Sequence, residues 1–402
     1  MVSQLTHPAL THIVDVFDQI DLFESLNNDR IVELSKLGNQ SGFSSIDAIR
    51  RSTGISNRRI LATGRTAIDL AERLINRLES TTGIMLGDFA KVFLCHSHTS
   101  GQEVVDLAST LTRRHELPRS LIQPVNYGCC GFLKMLQDGA EWLESHRSPN
   151  TRIAILAVET PETWHDGSDR LFCGIVSAGA AAAVLQGIPG IDADVSGSQT
   201  GLPFSVIRAD DFKIPVERRP NSNPLFHKEW ADCFTFRGES SYRNVMRMNA
   251  EPVFLNGIEL MLNNLRNAIM SIDRQPGERV IVLPHQPSGK LLRALIATAR
   301  QEFPDFQFLN NLDQYGNTIS CSVPTILSRL DQVLAANQFP PVQQGDHIIL
   351  LAAGICMAEI ENHMSAGHAC FRWVNGILNC QVAPANNSSR VEAKSVSVPN
   401  QT

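Results

Sequence analysis

Residues 280–285 of this chain are Val-Ile-Val-Leu-Pro-His, and residues 92–96 are Val-Phe-Leu-Cys-His. Both runs are short and apolar, which is typical of buried strands in α/β sheets, and both end on a histidine. The spacing of apolar residues predicts one helix over residues 61–79, before the earlier run, and another over residues 102–115, after it. The chain is therefore predicted to alternate strands with helices and to contain one α/β unit twice.

Two further pairs of segments extend this repeat. Tyr315-Gly-Asn317 matches Tyr127-Gly-Cys129 at nearly the same distance beyond the strand, and residues 347–353 match residues 152–158. Strands that alternate with helices predict mainly parallel sheets covered on both faces. Two such halves would pack their functional loops against each other.

The predicted domain boundaries follow from the repeat. We expect an N-terminal half over residues 1–190 and a C-terminal half over residues 191–382. An insertion near residues 215–245, which forms a cap or an interface, is predicted from an aromatic cluster, Trp230, Phe234, Phe236 and Tyr242. Residues 383–402 are rich in Asn, Ser, Val and Pro without periodicity, which predicts a disordered tail.

The composition excludes several classes of protein. The chain has 402 residues, of which 43% are hydrophobic, so it can bury a large core. A net charge of −6 and a pI near 6.1 give no basic surface, so no nucleic-acid partner is expected. We expect a soluble, cytoplasmic protein, since the N-terminus has no basic region before an apolar run and no stretch approaches the roughly 20 apolar residues of a membrane span.

The cysteines and histidines do not suggest a metal site. The nine cysteines form no C-x-x-C pair, which argues against a disulfide framework and a structural zinc site. His96, His98 and His115 lack the spacing of a metal-binding set, and are expected to be core or solvated residues.

One cysteine has the setting of a nucleophile. Tyr127-Gly-Cys-Cys-Gly-Phe132 places it at a turn that opens a predicted helix. Unpaired backbone N–H groups and the helix dipole at such a turn stabilise a thiolate. Taken alone, the motif fits a buried structural cysteine equally well.

His285 and Asn317 are its candidate partners. His285 follows a buried strand, where α/β enzymes present functional groups, although a lone histidine there is more often an ordinary loop residue. Asn317 follows a glycine and fits a simple turn as well. The repeat brings these loops and the Cys129 loop into one region, and a Cys/His/amide set is a coherent nucleophilic site.

At these residues the sequence resembles a known family. Gly128-Cys-Cys-Gly-Phe132, Pro284-His-Gln286 and Tyr315-Gly-Asn-Thr318 stand in the order and approximate spacing of the signatures of β-ketoacyl-acyl-carrier-protein synthase III. This family belongs to the thiolase superfamily, and the resemblance runs from about Arg50 to Ala383. It implies a thiolase fold, in which two pseudo-repeated α/β halves form a five-layer αβαβα arrangement. Further matching segments are residues 52–60, 177–185 and 248–254.

The resemblance also implies roles for three residues. In the family the nucleophile stands three residues before the Phe, which selects Cys129 rather than Cys130. Cys129 would take an acyl group from a thioester, while His285 and Asn317 would hold the carbonyl oxygen of a second thioester and stabilise its enolate. Imidazole and amide N–H groups suit this role because they donate to an oxyanion without ionising.

Two motifs depart from the family. Its Gly-Gly-Gly-Phe-Thr-Trp-Gly segment reads Gly354-Ile-Cys-Met-Ala-Glu359 here, with one glycine. That loop gives a backbone N–H to the acyl oxyanion, so Gly354 and Ile355 are the expected support in a site of altered shape. The CoA-binding arginine of the family aligns with Ser52. The thioester donor is therefore as readily an acyl carrier protein as CoA, and no other cofactor and no metal is expected.

Glu103 is the third departure. It stands where the family has a Phe that crosses the dimer interface, and it resembles the Glu of the olefin-biosynthesis thioester condensing enzymes, which serves the neighbouring subunit as a base. Such a base is needed when the enolate forms by loss of an α-proton rather than of CO₂, and burial can raise its pKa for that task. Alternatively, Glu103 is a first-turn carboxylate that interacts with the helix dipole.

The sequence thus predicts an acyl-thioester condensing enzyme, an acyltransferase that forms a C–C bond by Claisen condensation with a second acyl or malonyl thioester. The altered motifs favour secondary-metabolite biosynthesis over fatty-acid initiation. A homodimer is expected, and a heterodimer with a related subunit stays open. Two alternatives also stay open: transfer of the acyl group from Cys129 to a hydroxyl or amine acceptor, and a non-catalytic partner subunit of a ketosynthase heterodimer.

Overall fold

The structure is a computed structural model, which describes residues 6–36, 42–146, 151–165, 174–189, 204–213, 216–219, 245–248, 250–355 and 363–380. The strands of the first half are β1 (Thr6–Asp15), β2 (Phe23–Asn27), β3 (Asn57–Leu61), β4 (Lys91–Cys95), β5 (Ile122–Val125), β6 (Arg152–Glu159) and β7 (Gly179–Pro189). Its helices are α1 (Asn28–Ser35), α2 (Ile46–Thr53), α3 (Ala67–Thr82), α4 (Gly101–Arg114) and α5 (Gly131–His146).

The second half has a similar plan. Its strands are β8 (Phe204–Lys213), β9 (Val216–Arg219), β10 (Val245–Met248), β11 (Val280–Pro284), β12 (Gln307–Phe308), β13 (His347–Ile355), β14 (His363–Val374) and β15 (Ile377–Cys380). Its helices are α6 (Ala250–Met270), α7 (Gly289–Glu302), α8 (Leu312–Tyr315), α9 (Ser322–Ser328) and α10 (Leu330–Ala336). The predicted aromatic cluster and the tail at 383–402 lie outside the described residues, and the insertion is described only at its antiparallel ends, β9 and β10.

The two halves have the same strand order. β1-β7-β6-β4-β5 in the first half corresponds to β8-β14-β13-β11-β12 in the second. In each half the first two pairings are antiparallel and the last two are parallel. This topology confirms the predicted internal repeat, and β15 pairs with both β14 and β1 to join the halves.

The expectation of mainly parallel strands is wrong for part of each half. β7 runs antiparallel to β6, and β14 runs antiparallel to β13. A parallel pair needs a crossover connection, usually a helix, and the described residues between β6 and β7 contain only a 3-10 turn, Pro161–Thr163.

Three helical layers enclose the strands of the two halves. α3 and α4 pack on one face of the first-half strands, α6 and α7 pack on the outer face of the second-half strands, and α5, α9 and α10 lie between. Side chains alternate accordingly: on β4, Val92 and Leu94 join the outer cluster while Phe93 and Cys95 join the middle one. The five-layer αβαβα arrangement of a thiolase fold is confirmed. In the described part of the chain, no helix combines the length and apolar character needed to span a membrane.

The proposed match between the two histidines is one residue out of register. His285 continues the inward-facing series of Leu283, whereas His96 continues the outward-facing series of Leu94. The two histidines accordingly line different cavities. A shift of one residue reverses the face of a strand, so His96 is not the counterpart of His285.

The two Tyr-Gly turns also fail to correspond residue for residue. Gly128–Cys130 form a 3-10 turn that leads into α5, and Ile319–Cys321 form the same turn before α9. Each turn begins with a positive φ, 57° at Gly128 and 53° at Ile319. Cys129 therefore corresponds to Ser320, and Asn317 lies three residues before that position.

Candidate active site

The turn before α5 separates the two adjacent cysteines. Cys130 is fully buried in the middle core cluster, whereas Cys129 is partly exposed. The turn packs so tightly on β4 that a Cβ added to Gly131 would lie 2.3 Å from Cys95 Sγ. The structure thus places Cys129, and not Cys130, on the wall of a cavity.

This cavity has a volume of about 850 Å³ and brings together side chains from both halves. Cys129, His285 and Asn317 line it, together with Gly354 and Ile355 of β13. Much of the remaining lining is apolar and comes from α6, β13 and β14, namely Val253, Phe254, Leu255, Ala353 and Met364. A few polar groups in a large apolar cavity suit a ligand that combines an acyl chain with a reactive carbonyl.

His285 presents an unsatisfied ring to this cavity. Its side chain has no exposed surface, and among the described residues neither ring nitrogen has a hydrogen-bond partner. Its backbone N–H donates to the carbonyl of Leu351 at 2.6 Å, which ties it to β13. Burial lowers the pKa of the imidazole to about 3, so the ring is neutral at pH 7 and carries one N–H. Buried polar groups without partners are rare, so this ring indicates a place for a ligand atom.

The amide of Asn317 is held in one orientation. Its Oδ1 accepts a hydrogen bond from the backbone N–H of Ile319 at 2.9 Å, and its Nδ2 donates to the carbonyl of Pro287 at 3.3 Å. Its backbone pairs with Ile175 and Ser177 of the first half. Since the Nδ2 group has two hydrogens, one stays available to the cavity.

Gly354 touches the candidate nucleophile. An added Cβ would lie 2.5 Å from Cys129 Sγ and 2.6 Å from Cys129 Cβ, so only glycine fits there. The next residue, Ile355, and Cys129 itself direct backbone N–H groups to the sulfur. Gly354 therefore lets β13 approach closely enough to place the N–H of Ile355 beside the sulfur, in addition to the N–H of Cys129 itself.

The thiol of Cys129 is less acidic than the sequence suggested. Burial and the carboxyl group of Glu159 raise its pKa to about 12, although the two backbone N–H groups lower it. The expectation that the turn and the helix dipole stabilise a thiolate is wrong here, because desolvation of a buried charge outweighs them. Cys129 carries its proton at neutral pH.

Glu159 is a residue that the sequence reasoning missed. It ends β6, is fully buried, and accepts hydrogen bonds from Ser97 Oγ at 2.7 Å, from Ser97 N at 3.1 Å and from Ser320 Oγ. Burial raises its pKa to about 7, although these donors lower it. Its one signal in the sequence is a carboxylate that closes an otherwise apolar strand, Ile153-Ala-Ile-Leu-Ala-Val-Glu159.

The mouth of the cavity includes Ser52, where the family has its CoA arginine. α2 and α7 meet there at two glycines, since a Cβ on Gly289 would lie 2.8 Å from Gly54 Cα. Arg51 is exposed at the end of α2, and its carbonyl accepts a hydrogen bond from Arg293 at 3.0 Å. Arginines thus lie beside the mouth, although position 52 itself carries no charge.

Comparisons with known proteins agree with this site. A model of the C-terminal region of 3-oxoacyl-[acyl-carrier-protein] synthase III matches residues 274–358, the segment that carries His285 and Asn317. β-Ketoacyl-[acyl-carrier-protein] synthase III of Cereibacter sphaeroides is 24% identical over 308 residues, which are 76% of this chain and 86% of that protein. The chain is therefore similar to β-ketoacyl synthase III, a family of condensing enzymes in the thiolase superfamily.

Solved structures show the same fold for this synthase III-like chain. 3-Oxoacyl-(acyl carrier protein) synthase III from Pseudomonas aeruginosa has a TM-score of 0.65 at 19% identity, and covers 92% of this chain and 99% of its own. OleA from Xanthomonas campestris, solved with bound lauric acid and lauroyl-CoA, has a TM-score of 0.61 at 16% identity, over 92% and 100% of the two chains.

Glu103 of the synthase III-like chain does not line the cavity of Cys129. It lies in the first turn of α4 and lines a separate cavity of about 250 Å³, together with His96 and His98. Burial raises its pKa, and Asp106 adds to this effect. Within one chain the structure therefore brings together Cys129, His285, Asn317, Gly354 and Ile355, and leaves Glu103 apart.

Proposed function

We propose that this synthase III-like chain is acylated on Cys129 by an acyl thioester and then forms a C–C bond with a second acyl or malonyl thioester by Claisen condensation. One observation carries the proposal. A single cavity contains a cysteine, a buried neutral imidazole without a partner and an amide held in a fixed orientation. A nucleophile and two neutral N–H donors are what two successive reactions at a thioester carbonyl require.

In the first reaction, Cys129 Sγ attacks the thioester carbonyl carbon. The oxyanion would accept hydrogen bonds from the backbone N–H groups of Cys129 and Ile355, which already face the sulfur. The C–S bond to the donor then breaks, and the proton of the Cys129 thiol leaves with the released thiol. His285 is a poor acceptor for that proton, since burial lowers its pKa to about 3.

In the second reaction, the second thioester becomes an enolate whose oxygen accepts hydrogen bonds from the ring N–H of His285 and from Nδ2 of Asn317. Its α-carbon attacks the acyl carbon on Cys129, the C–S bond breaks, and a β-keto thioester leaves. Both donors are neutral and fixed before the substrate arrives, so they need to move little as negative charge develops on the oxygen.

We assign Glu103 the removal of an α-proton in the cavity of a partner subunit, so that a homodimer would condense thioesters without losing CO₂. Two features support this assignment. Glu103 does not line the Cys129 cavity of its own chain, and burial raises its pKa toward the range of a general base. The altered loop at Gly354 and the uncharged Ser52 support a specialised, secondary-metabolite pathway, with an acyl carrier protein or CoA as donor.

Intact-mass measurement tests the acylation step. The protein is incubated with acyl-CoA and acyl-carrier-protein thioesters of several chain lengths, beside the variants Cys129→Ala and Cys130→Ala. We expect the acyl mass on wild type and on Cys130→Ala, and not on Cys129→Ala. If no thioester acylates Cys129, the mechanism is wrong.

Identification of the product shows which acceptor takes the acyl group. After acylation, a second acyl or malonyl thioester is added in one sample, and a free alcohol or amine in another. A β-keto product in the first sample is the expected result. An ester or amide in the second sample alone would assign acyl transfer instead, and unchanged pathway output with Cys129→Ala would assign a non-catalytic partner subunit.

A further inference from the structure

One short segment of the first half, residues 174–177, holds the backbone of Asn317 on both sides. The N–H of Asn317 donates to the carbonyl of Ile175 at 2.9 Å, and its carbonyl accepts from the N–H of Ser177 at 2.9 Å. Val176, between these two bonds, forms a parallel bridge with Asn317. The position of Asn317 in the cavity therefore depends on the position of this segment.

Arg58 on β3 anchors the first residue of the segment. Its Nε donates to the carbonyl of Gly174 at 2.7 Å, and its Nη2 donates to the same oxygen. A guanidinium presents these two N–H groups in one rigid plane, so together they fix both the distance and the direction of the carbonyl. Gly174 is followed directly by Ile175, the residue that accepts from Asn317.

Arg58 is itself held in place by two helices of the first half. Its side chain has no exposed surface. Asn28, the first residue of α1, accepts from its Nη1, and Thr53, the last residue of α2, accepts from its Nη2 at 3.2 Å. Since a buried donor that loses its partner is costly, the guanidinium has little freedom to turn away from Gly174.

The stem of Arg58 also packs against the loop that carries Asn317. A Cβ added to Gly316 would lie 3.4 Å from Arg58 Cγ and 3.1 Å from the carbonyl oxygen of Ile175. Residue 316 is thus enclosed by Arg58 on one side and by the anchored segment on another. Arg58 therefore acts on Asn317 through two contacts, one with the segment and one with the preceding residue.

We propose that Arg58 is a positioning residue for Asn317: its guanidinium fixes the carbonyl of Gly174, so that residues 174–177 hold Asn317 with Nδ2 aimed at the enolate oxygen. Asn317 and Ile175 line the cavity, whereas Arg58 is fully buried outside its lining. The inference rests on the proposed function in taking Asn317 as a donor to the enolate. Acylation of Cys129 uses other donors, so it should not depend on Arg58.

Arg58→Lys tests the role of the guanidinium. Lysine keeps the charge, but its single ammonium cannot place two donors on Gly174 and also reach Asn28 and Thr53. We expect condensation to fall about tenfold, because a small misplacement of a group that acts in the transition state lowers the rate. The fall should be in kcat and not in KM for the second thioester, and acylation of Cys129, measured by intact mass, should stay within a few-fold of wild type.

A double-mutant cycle with Asn317→Asp separates positioning from general support of the fold. If Arg58 acts through the amide of Asn317, Arg58→Lys should cause no further loss of condensation once that amide is gone. Losses that multiply in the double variant would overturn the proposal.

Arg279→Lys is the matched control. Arg279 is also largely buried and also donates to backbone carbonyls, those of Pro340 at 3.1 Å and Pro341 at 2.7 Å. It precedes β11, at the opposite end of that strand from His285. This variant should lower the melting temperature and leave acylation and condensation within a few-fold of wild type. An equal loss of condensation in both variants would overturn the proposal.

Hydrogen exchange measures the placement of Asn317 without any turnover. Its N–H and that of Ser177 make the bonds between the two segments, so peptides that cover residues 174–177 and 316–319 should exchange faster in Arg58→Lys and not in Arg279→Lys. Unchanged exchange would overturn the proposal even if the chain forms no C–C bond, so failure of this inference and failure of the proposed condensation are separate results. If Arg58→Lys does not fold, Asn28→Ala, which removes the acceptor of Nη1, should show smaller effects of the same kind under the same criteria.

Discussion

The position of a Cβ on Gly354 would be 2.5 Å from Sγ of Cys129, closer than two such atoms can approach. The backbone of β13 and the sulfur therefore share a contact that only glycine allows. The family has a run of glycines in this loop, and this chain keeps the one at the contact.

Gly354→Ala should consequently abolish acylation of Cys129 while leaving the fold intact. The methyl group must displace the sulfur or the strand that carries the Ile355 N–H, and loss of one such donor costs about 100-fold or more in rate. Acyl-enzyme formation is followed by intact mass. The control is Gly257→Ala in the same cavity, where a Cβ meets its nearest neighbours at 3.5 Å and 3.6 Å and should be tolerated.

Asn317→Asp should separate the two reactions. The carboxylate can still accept from the N–H of Ile319, but it offers no hydrogen to the enolate oxygen and adds a repelling charge. We expect acylation of Cys129 within a few-fold of wild type and condensation reduced by about 100-fold. Equal loss of both steps would instead make Asn317 a structural residue.

His285 should stay neutral far below the usual range of histidine. Burial lowers its pKa to about 3, so the ring gains its second proton only in strong acid. Nitrogen NMR of labelled protein can follow the ring, with His285→Ala to assign the signal. A charged ring at pH 6 would contradict its assignment as a neutral donor.

Glu103→Gln should reduce condensation of simple acyl thioesters, which need a base, and spare that of malonyl thioesters, in which loss of CO₂ supplies the enolate. The expected selective loss is about 100-fold, the usual contribution of general base catalysis. Asp106→Asn, one turn later in the same cavity, is the matched control. Equal loss with both donors would assign Glu103 a structural role.

Stability should fall as pH rises through neutrality because of Glu159 and Glu162. Burial raises the pKa of both from 4.5 to about 7, so the folded state binds more protons than the unfolded state in that interval. Their contribution is complete below about pH 4.5 and is lost by about pH 7, at on the order of 3 kcal/mol each. Urea unfolding at these two pH values measures it, and Glu162→Gln should flatten the dependence. A dependence unchanged in that variant would contradict the assignment.

Much of the fold was accessible from the sequence because the repeat and the apolar strands are local patterns. Their exact boundaries were less so. The helix predicted from residue 61 begins at Ala67, since Thr66 and Asp69 form a capping box there and Leu61 ends β3. The apolar spacing alone does not show where the cap lies.

The order of the motifs predicted which residues line the cavity, but it could not predict the pKa of Cys129. A turn before a helix indicates a stabilised thiolate, and that inference failed at Cys129 because burial desolvates the sulfur, and the carboxyl group of Glu159, 30 positions along the chain, raises the pKa further. A neighbour of this kind depends on tertiary packing. The register of His96 failed for a related reason, since one residue decides which face of a strand a side chain occupies.

Ser97 and Ser320 both donate to the buried carboxylate of Glu159, so this cluster joins loops from both halves of the chain. Residues that line the Cys129 cavity are free to vary with the substrate, whereas a change at Ser97 or Ser320 must still satisfy a buried carboxylate. Variation that tunes specificity should therefore accumulate around Cys129, and variation around Ser320 should be sparse. Both halves supply the active site, and both also supply the buried cluster that holds the loops beside it.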